Sequence, residues 1–222
     1  MIYLERSPHP ALAPFIHKLW YACDPEATHS RQRVLPTGRA QVVISLARDY
    51  LTDANHTTGP FERSPAGLFL GLYTAYQHID AIDLAELIGV SFHPGGNLPF
   101  FPDNSSAFTD RETSIEDLWG PSFCALRDHL RELPTPERKC DLLEACLLNR
   151  LHRSRIPARK PLIDFALTTL HNAPGMVAVH NLARTTGLSA RRLSQLFREN
   201  IGTAPKTYCR ILRFQQAVQQ LH

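Results

Sequence analysis

The sign of the charge reverses along this chain. Residues 1–150 hold 13 lysines and arginines against 19 aspartates and glutamates, a net of −6, whereas residues 151–222 hold 11 against 2, a net of +9. A single folded unit has no reason to sort its charges by chain position, so the asymmetry points to two modules. The basic one either faces nucleic acid or another anionic surface, or stands as a solvated basic surface. The overall charge of +3 conceals this division.

Composition bounds the rest. With 222 residues, 43% apolar and 20% charged, the chain can bury one large core or two modest ones and is neither disordered nor collagen-like. No stretch approaches the roughly 18 consecutive apolar residues of a membrane helix, and Met1 to Arg6 lack the apolar region of a secretory signal. The expectation is a cytoplasmic protein associated with the nucleoid, with no membrane partner. Cys23, Cys124, Cys140, Cys146 and Cys209 are odd in number and widely spaced, as reduced core thiols would be.

The module boundary falls where the charge changes sign. Residues 153–161 carry Arg153, Arg155, Arg159 and Lys160 with Pro157 and Pro161, a composition that disfavours helix interior and strand pairing alike and reads as a basic linker. Upstream, Val34 to Leu46, Ala66 to Ala75 and Leu84 to Phe92 are apolar runs bounded by Pro and Gly clusters, and they are expected as strands. The third stops at His93-Pro94-Gly95-Gly96. Residues 1–112 therefore read as a β-rich sensor or interaction domain.

Between 113 and 152 the period changes. Ser114 is placed to cap a short helix ending at Gly120, and Phe123, Leu126, Leu130 and Leu133 form a helical stripe. Thr135-Pro136 caps another, with Leu142, Leu143, Cys146, Leu147 and Leu151 on its apolar side. These helices either cover the sheet or form a dimer seam.

From Pro161 the sequence parses into four short helices. Leu162, Ile163, Ala166, Leu167 and Leu170 stripe the first, which stops before Pro174-Gly175; Val179, Leu182 and Ala183 stripe the second, which Gly187 closes. Ser189 caps the third, and helix, Gly-containing turn, capped helix is the helix-turn-helix pattern. At about 100° per residue, Arg191, Ser194, Gln195 and Arg198 share one face, with Leu193, Leu196, Phe197 and Asn200 opposite. Arg suits guanine O6 and N7 and Gln suits adenine N6 and N7, although any small bundle also exposes a polar helix face. On the fourth helix, Lys206, Arg210 and Arg213 form a cationic line matched to phosphates along a duplex.

At these residues the sequence resembles the AraC/XylS family of bacterial transcription regulators. The resemblance rests on Leu182-Ala-x-x-x-Gly187-Leu-Ser189-x-Arg191-x-Leu193-x-x-x-Phe197-x-x-x-x-Gly202-x-x-Pro205-x-x-Tyr208-x-Arg210-x-x-Arg213, about sixty residues at the C-terminal end. It implies base contacts from Arg191, Ser194 and Gln195 and backbone contacts from Arg192, Arg198, Arg210 and Arg213, to which the spacing on the fourth helix adds Lys206. The segments Gly89-Val-Ser-Phe-His-Pro-Gly-Gly96 and Asp117-Leu-Trp-Gly120 are similar to the N-terminal domain of a subgroup of these regulators. Family members carry two helix-turn-helix units joined by a long helix, and residue 222 falls within what resembles that joining helix, so residues 162–222 are expected to hold the first unit only.

The fold class expected is therefore α+β: a β-rich N-terminal domain, a helical segment and an all-α helix-turn-helix module. The expected function is sequence-specific DNA binding under the control of a sensed ligand or partner. Double-stranded DNA, a small-molecule effector and a second copy of the chain are the expected partners. Tyr73, Tyr76, His78, Phe92 and His93 are the candidate ligand-pocket residues. An interaction-only relative that dimerises without reading DNA is the alternative. A small enzyme centred near His93 is a further one, although no catalytic, metal-binding or cofactor-binding spacing occurs, so no cofactor and no enzymatic activity are expected.

Overall fold

The computed structural model describes residues 1–52, 62–101, 103–154, 161–173 and 177–220. Ten strands precede seven α-helices, an α+β architecture. The strands are β1 (Ile2–Arg6), β2 (Ile16–Cys23), β3 (Arg31–Val34), β4 (Gln41–Ser45), β5 (Tyr50–Thr52), β6 (Arg63–Pro65), β7 (Gly67–Leu70), β8 (Gln77–Asp80), β9 (Leu87–Phe92) and β10 (Glu112–Ser114). Six of them form one antiparallel sheet in the order β1-β2-β9-β4-β7-β10, while β3 pairs with β8 and β5 with β6.

Alternation along these strands gives the sheet two unlike faces. One carries Leu19, Tyr21, Val42, Ile44, Phe69, Ile88, Val90 and Phe92, all buried under α1 (Ile115–Trp119), α2 (Ser122–Glu132) and α3 (Pro136–Arg153). An aromatic stack fills the gap between sheet and helices: Phe69 lies 3.9 Å from Phe101, and Phe101 lies 5.7 Å from Trp119, centroid to centroid. The guanidiniums of Arg127 and Arg131 on α2 donate to the carbonyls of Ser45 and Leu46, fastening the helices to the end of β4. Covering the sheet is thus what these three helices do.

The caps expected from sequence are present as hydrogen bonds. Ser114 accepts from Asp117 N, Thr135 from Arg138 N and Ser189 from Arg192 N, each meeting an N–H that the helix start leaves without a partner. Other boundaries differ from expectation. The apolar run at 34–46 begins on the last residue of β3, turns at Gly38 with φ 72°, and becomes strand again only at β4. The run at 66–75 is a strand only to Leu70, and Leu84 belongs to a 3₁₀ turn (Ala81–Ala85) that precedes β9. The helix α3 continues through Arg153, and Pro161 opens the next helix; the rest of the expected linker, 155–160, and the stop at Pro174-Gly175 lie outside the described residues.

The helical module consists of α4 (Pro161–Asn172), α5 (Val179–Thr185), α6 (Ala190–Ile201) and α7 (Pro205–Gln220). Its core gathers Ile163, Ala166, Leu167, Leu170, Leu182, Leu193, Leu196, Phe197, Tyr208 and Ile211, together with Leu72 from the β domain. The two halves of the chain therefore share one packed junction.

Candidate nucleic-acid interface and interdomain cavity

The turn between α5 and α6 is set by Gly187, which adopts φ 69° with open space where a side chain would stand. Leu188 N donates to Ala183 O at 3.0 Å across it. Burial of Leu193, Leu196, Phe197 and Ile201 then leaves Arg191, Arg192, Gln195 and Arg198 exposed, with Ser194 half-buried. Gln195 is held between neighbours: its Oε1 accepts from Arg192 Nη1 at 3.0 Å and its Nε2 donates to Glu199 Oε1 at 2.8 Å. On α7, Lys206, Arg210 and Arg213 are exposed. Among the described residues no carboxylate pairs with any of these six cations.

The far end of α6 is anchored in the β domain. A 3₁₀ turn (Ser105–Phe108) reaches it: Ser105 Oγ donates to Asn200 O at 2.9 Å, and Thr109 Oγ1 donates to Gly202 O. Carbonyls that α6 cannot satisfy at its own C-terminus thus find donors from another domain. A second clasp holds α7, where Gln215 Nε2 donates to Pro36 O and the backbone at Gly38 approaches Tyr208 and Ile211 so closely that a β-carbon would stand 3.4 Å from each.

The other face of the sheet lines a cavity of about 1030 Å³. Three rungs of its floor follow from the register. Lys18, Ser91, Gln41 and Leu70 form the first, Trp20, Val43 and Leu68 the second, where the Trp20 ring covers Gly89, and Ala22 and Leu87 the third. Residues of β3, β5, β8 and the Ala81–Ala85 turn wall it, and α7 closes it with Tyr208, Leu212, Gln215, Gln216 and Gln219. The helix α7 therefore has Arg210 and Arg213 toward solvent and a row of polar and apolar side chains on the cavity.

Polarity is graded along the cavity. At the first rung a bulge in β2 inserts His17 between Ile16 and Lys18, so that two consecutive residues reach the cavity. Burial, reinforced by the charges of Arg39 and Lys18, holds the His17 imidazole below its ordinary pKa, so the ring is mainly neutral at pH 7. Burial also lowers Arg39, whose guanidinium nevertheless stays charged, and its Nη1 lies 3.4 Å from His93 Nδ1. At the opposite end Asp83 is 4% exposed; its Oδ2 accepts from Thr52 N at 2.9 Å and from Thr52 Oγ1. Burial pushes the Asp83 carboxyl above its ordinary pKa against those two bonds. Two buried polar atoms of residues that line the cavity, Asp83 Oδ1 and Gln77 Nε2, have no hydrogen-bond partner among the described residues.

The family described as Domain of unknown function (DUF6597) matches residues 4–114, half of the chain. The chain belongs to the DUF6597 family. That match runs from within β1 to the end of β10, so the DUF6597 domain supplies the two-faced sheet and the cavity floor, while α7 lies outside it. A crystal structure of the AraC-like transcriptional activator CuxR is similar at 16% identity and a TM-score of 0.33, over 93% of this chain and 78% of that one. No curated protein sequence matches.

The five pocket residues expected from sequence lie elsewhere in the DUF6597 domain, and none of them lines the cavity. Phe92 is fully buried on the helix-covered face, 5.5 Å from Phe100. His78 is buried on β8 between Gln77 and Ile79, which do line the cavity. Tyr73 and Tyr76 are not on strands but in the connection from β7 to β8, with Tyr76 exposed. His93 stands in the turn after β9, against Arg39 and 5.4 Å from His17 between ring centroids. Residues that sequence reasoning passed over, Lys18, Trp20, Arg39, Gln41, Gln77 and Asp83, form the wall instead. Among the described residues no cluster of His, Cys, Asp or Glu is arranged to hold a metal ion, and no helix is long and apolar enough to cross a membrane.

Proposed function

We propose that this chain is a DNA-binding transcription regulator without catalytic activity, and that it senses a small molecule in the cavity under α7. Arg191, Ser194 and Gln195 read base edges in the major groove, while Arg192, Arg198, Lys206, Arg210 and Arg213 meet phosphates. The observation that carries this reading is the set of six exposed cations on α6 and α7 that no carboxylate among the described residues pairs with. A merely solvated helix face intersperses acids, whereas a duplex supplies the counter-charge itself. Gln195, braced by Arg192 and Glu199, has its rotamer set before any base arrives, which lowers the ordering cost of a specific contact.

The sensing half of the reading is supported by α7, because one helix carries phosphate-facing cations on its outside and cavity residues on its inside. An occupant touching Tyr208, Leu212 or Gln215 bears on the element that positions Arg210 and Arg213. A second copy of the chain would double the reading surface and raise effective concentration at a paired site. In this reading the protein acts in the cytoplasm, at the nucleoid.

The test is a titration of a fluorescent duplex at several salt concentrations. Five phosphate contacts release counterions with a slope of log K on log salt of about −4.5, and a slope near zero overturns the reading.

A further inference from the structure

We propose that the cavity takes a bipolar molecule: a carboxylate head between Arg39 and Gln77, an apolar body over Trp20, Val43 and Leu68, and a hydrogen-bond donor seated on Asp83. The inference rests on reading the cavity as the sensing site and names the chemistry of what enters it.

The donors gather at one end. Arg39 lines the cavity, is half-buried, and has no carboxylate partner among the described residues. Gln77 pairs with Val34 at the end of β3, immediately before the turn that leads to Arg39, so its unpartnered Nε2 belongs to the same end. Gln77 is only 9% exposed, and a buried amide N–H calls for an acceptor. Lys18 and the bulged His17 stand at this end too. A buried amide N–H and a guanidinium without a carboxylate partner at the same end of the cavity match an oxyanion, and Arg favours the planar, two-oxygen form that a carboxylate offers.

The acceptor lies at the other end. Asp83, a lining residue on the turn that precedes β9, has one carboxylate oxygen bound twice by Thr52 and the other buried without a partner among the described residues. A hydroxyl or amine N–H from a ligand supplies what this oxygen lacks. From the Ser91 rung to the Leu87 rung is four residues of extended strand, about 14 Å, and the floor between them is apolar. A saturated chain of about ten carbons with a polar group at each end spans this length.

Calorimetry on the full chain tests the assignment with ω-hydroxydecanoate, decanoate and decanol as probes. The two-ended molecule should bind about tenfold more tightly than either one-ended molecule. Arg39→Gln should bring decanoate down to the affinity of decanol. Asp83→Asn keeps a carbonyl for Thr52 and turns an N–H into the cavity, so it should favour a methyl-ketone analogue of the same length over the hydroxy acid. Equal affinity for the three probes, no binding of any, or an unchanged ranking in both variants overturns the proposal and leaves DNA binding to be judged by the duplex titration. A chain that ranks the probes as expected, yet binds duplex identically with and without them, overturns the sensing reading and leaves the ligand class standing.

Discussion

The two faces of the central sheet are made by the same strands and do opposite things. On one, Phe69, Ile88, Val90 and Phe92 meet three helices and an aromatic stack with every side chain sealed from water. On the other, the alternate residues Leu68, Leu70, Leu87 and Ser91 floor a cavity, and two buried polar atoms of its lining residues have no partner among the described residues. Close packing holds a fold together and leaves no room for a guest, whereas an incompletely satisfied wall costs stability and is kept where something binds. The same division recurs across α6, whose buried Phe197 fastens the module and whose Arg191 is exposed to solvent.

This contrast can be broken most sharply by removing neighbouring side chains from opposite faces. Phe69→Ala should cost about 3–5 kcal/mol in urea denaturation, and Leu70→Ala, partly open to the cavity, about 1 kcal/mol. Similar losses at both positions would mean that the cavity face is packed as tightly as the other. Adding a methyl sharpens the picture of the middle rung. A β-carbon at Gly89 would stand 2.3 Å from the Trp20 ring and 2.4 Å from the Val42 carbonyl. Gly89→Ala should therefore cost about 1–3 kcal/mol by overpacking, read from the same unfolding curves.

Smaller effects probe the junction and the wall. Ser105→Ala removes the donor to Asn200 O and should cost about 1 kcal/mol, with faster amide exchange at the C-terminal turn of α6. Asp83 is read through pH. Its folded pKa is raised by burial, so the folded state holds the proton more tightly, and the group's contribution to stability declines as pH climbs through the unfolded and then the folded value. The difference between the wild-type chain and Asp83→Asn, followed by denaturation from about pH 4 to neutrality, should grow in the variant's favour as pH rises. A constant difference would show that the carboxyl titrates as it does in the unfolded chain.

Local signals were legible in the sequence wherever a few residues decide the structure. The caps at Ser114, Thr135 and Ser189 and the turn at Gly187 depend on neighbours within four positions, and each stands where its sequence puts it. The strand β2 was harder to see, because Leu19, Trp20, Tyr21 and Ala22 are all buried and the alternation that marks a half-buried strand is missing. The cavity was hidden for a related reason. Phe92 and His78 each sit one residue from a position that lines it, and on a pleated strand one residue is the difference between opposite faces. Arg39 and Asp83 are 44 positions apart and become the two ends of one cavity only through the pairing of β4 with β9.

The central claim, that the outer surface of α6 and α7 reads DNA, is tested most directly by titrating one duplex selected from a random pool and one scrambled duplex with three proteins at the same salt. Gln195→Ala should weaken the selected duplex by about 1–3 kcal/mol and scarcely change the scrambled one. Arg210→Ala should weaken both alike and make the salt slope shallower by about one. If the wild-type chain binds neither duplex, or if both variants bind as it does, the basic face is only a solvated surface and does not read DNA.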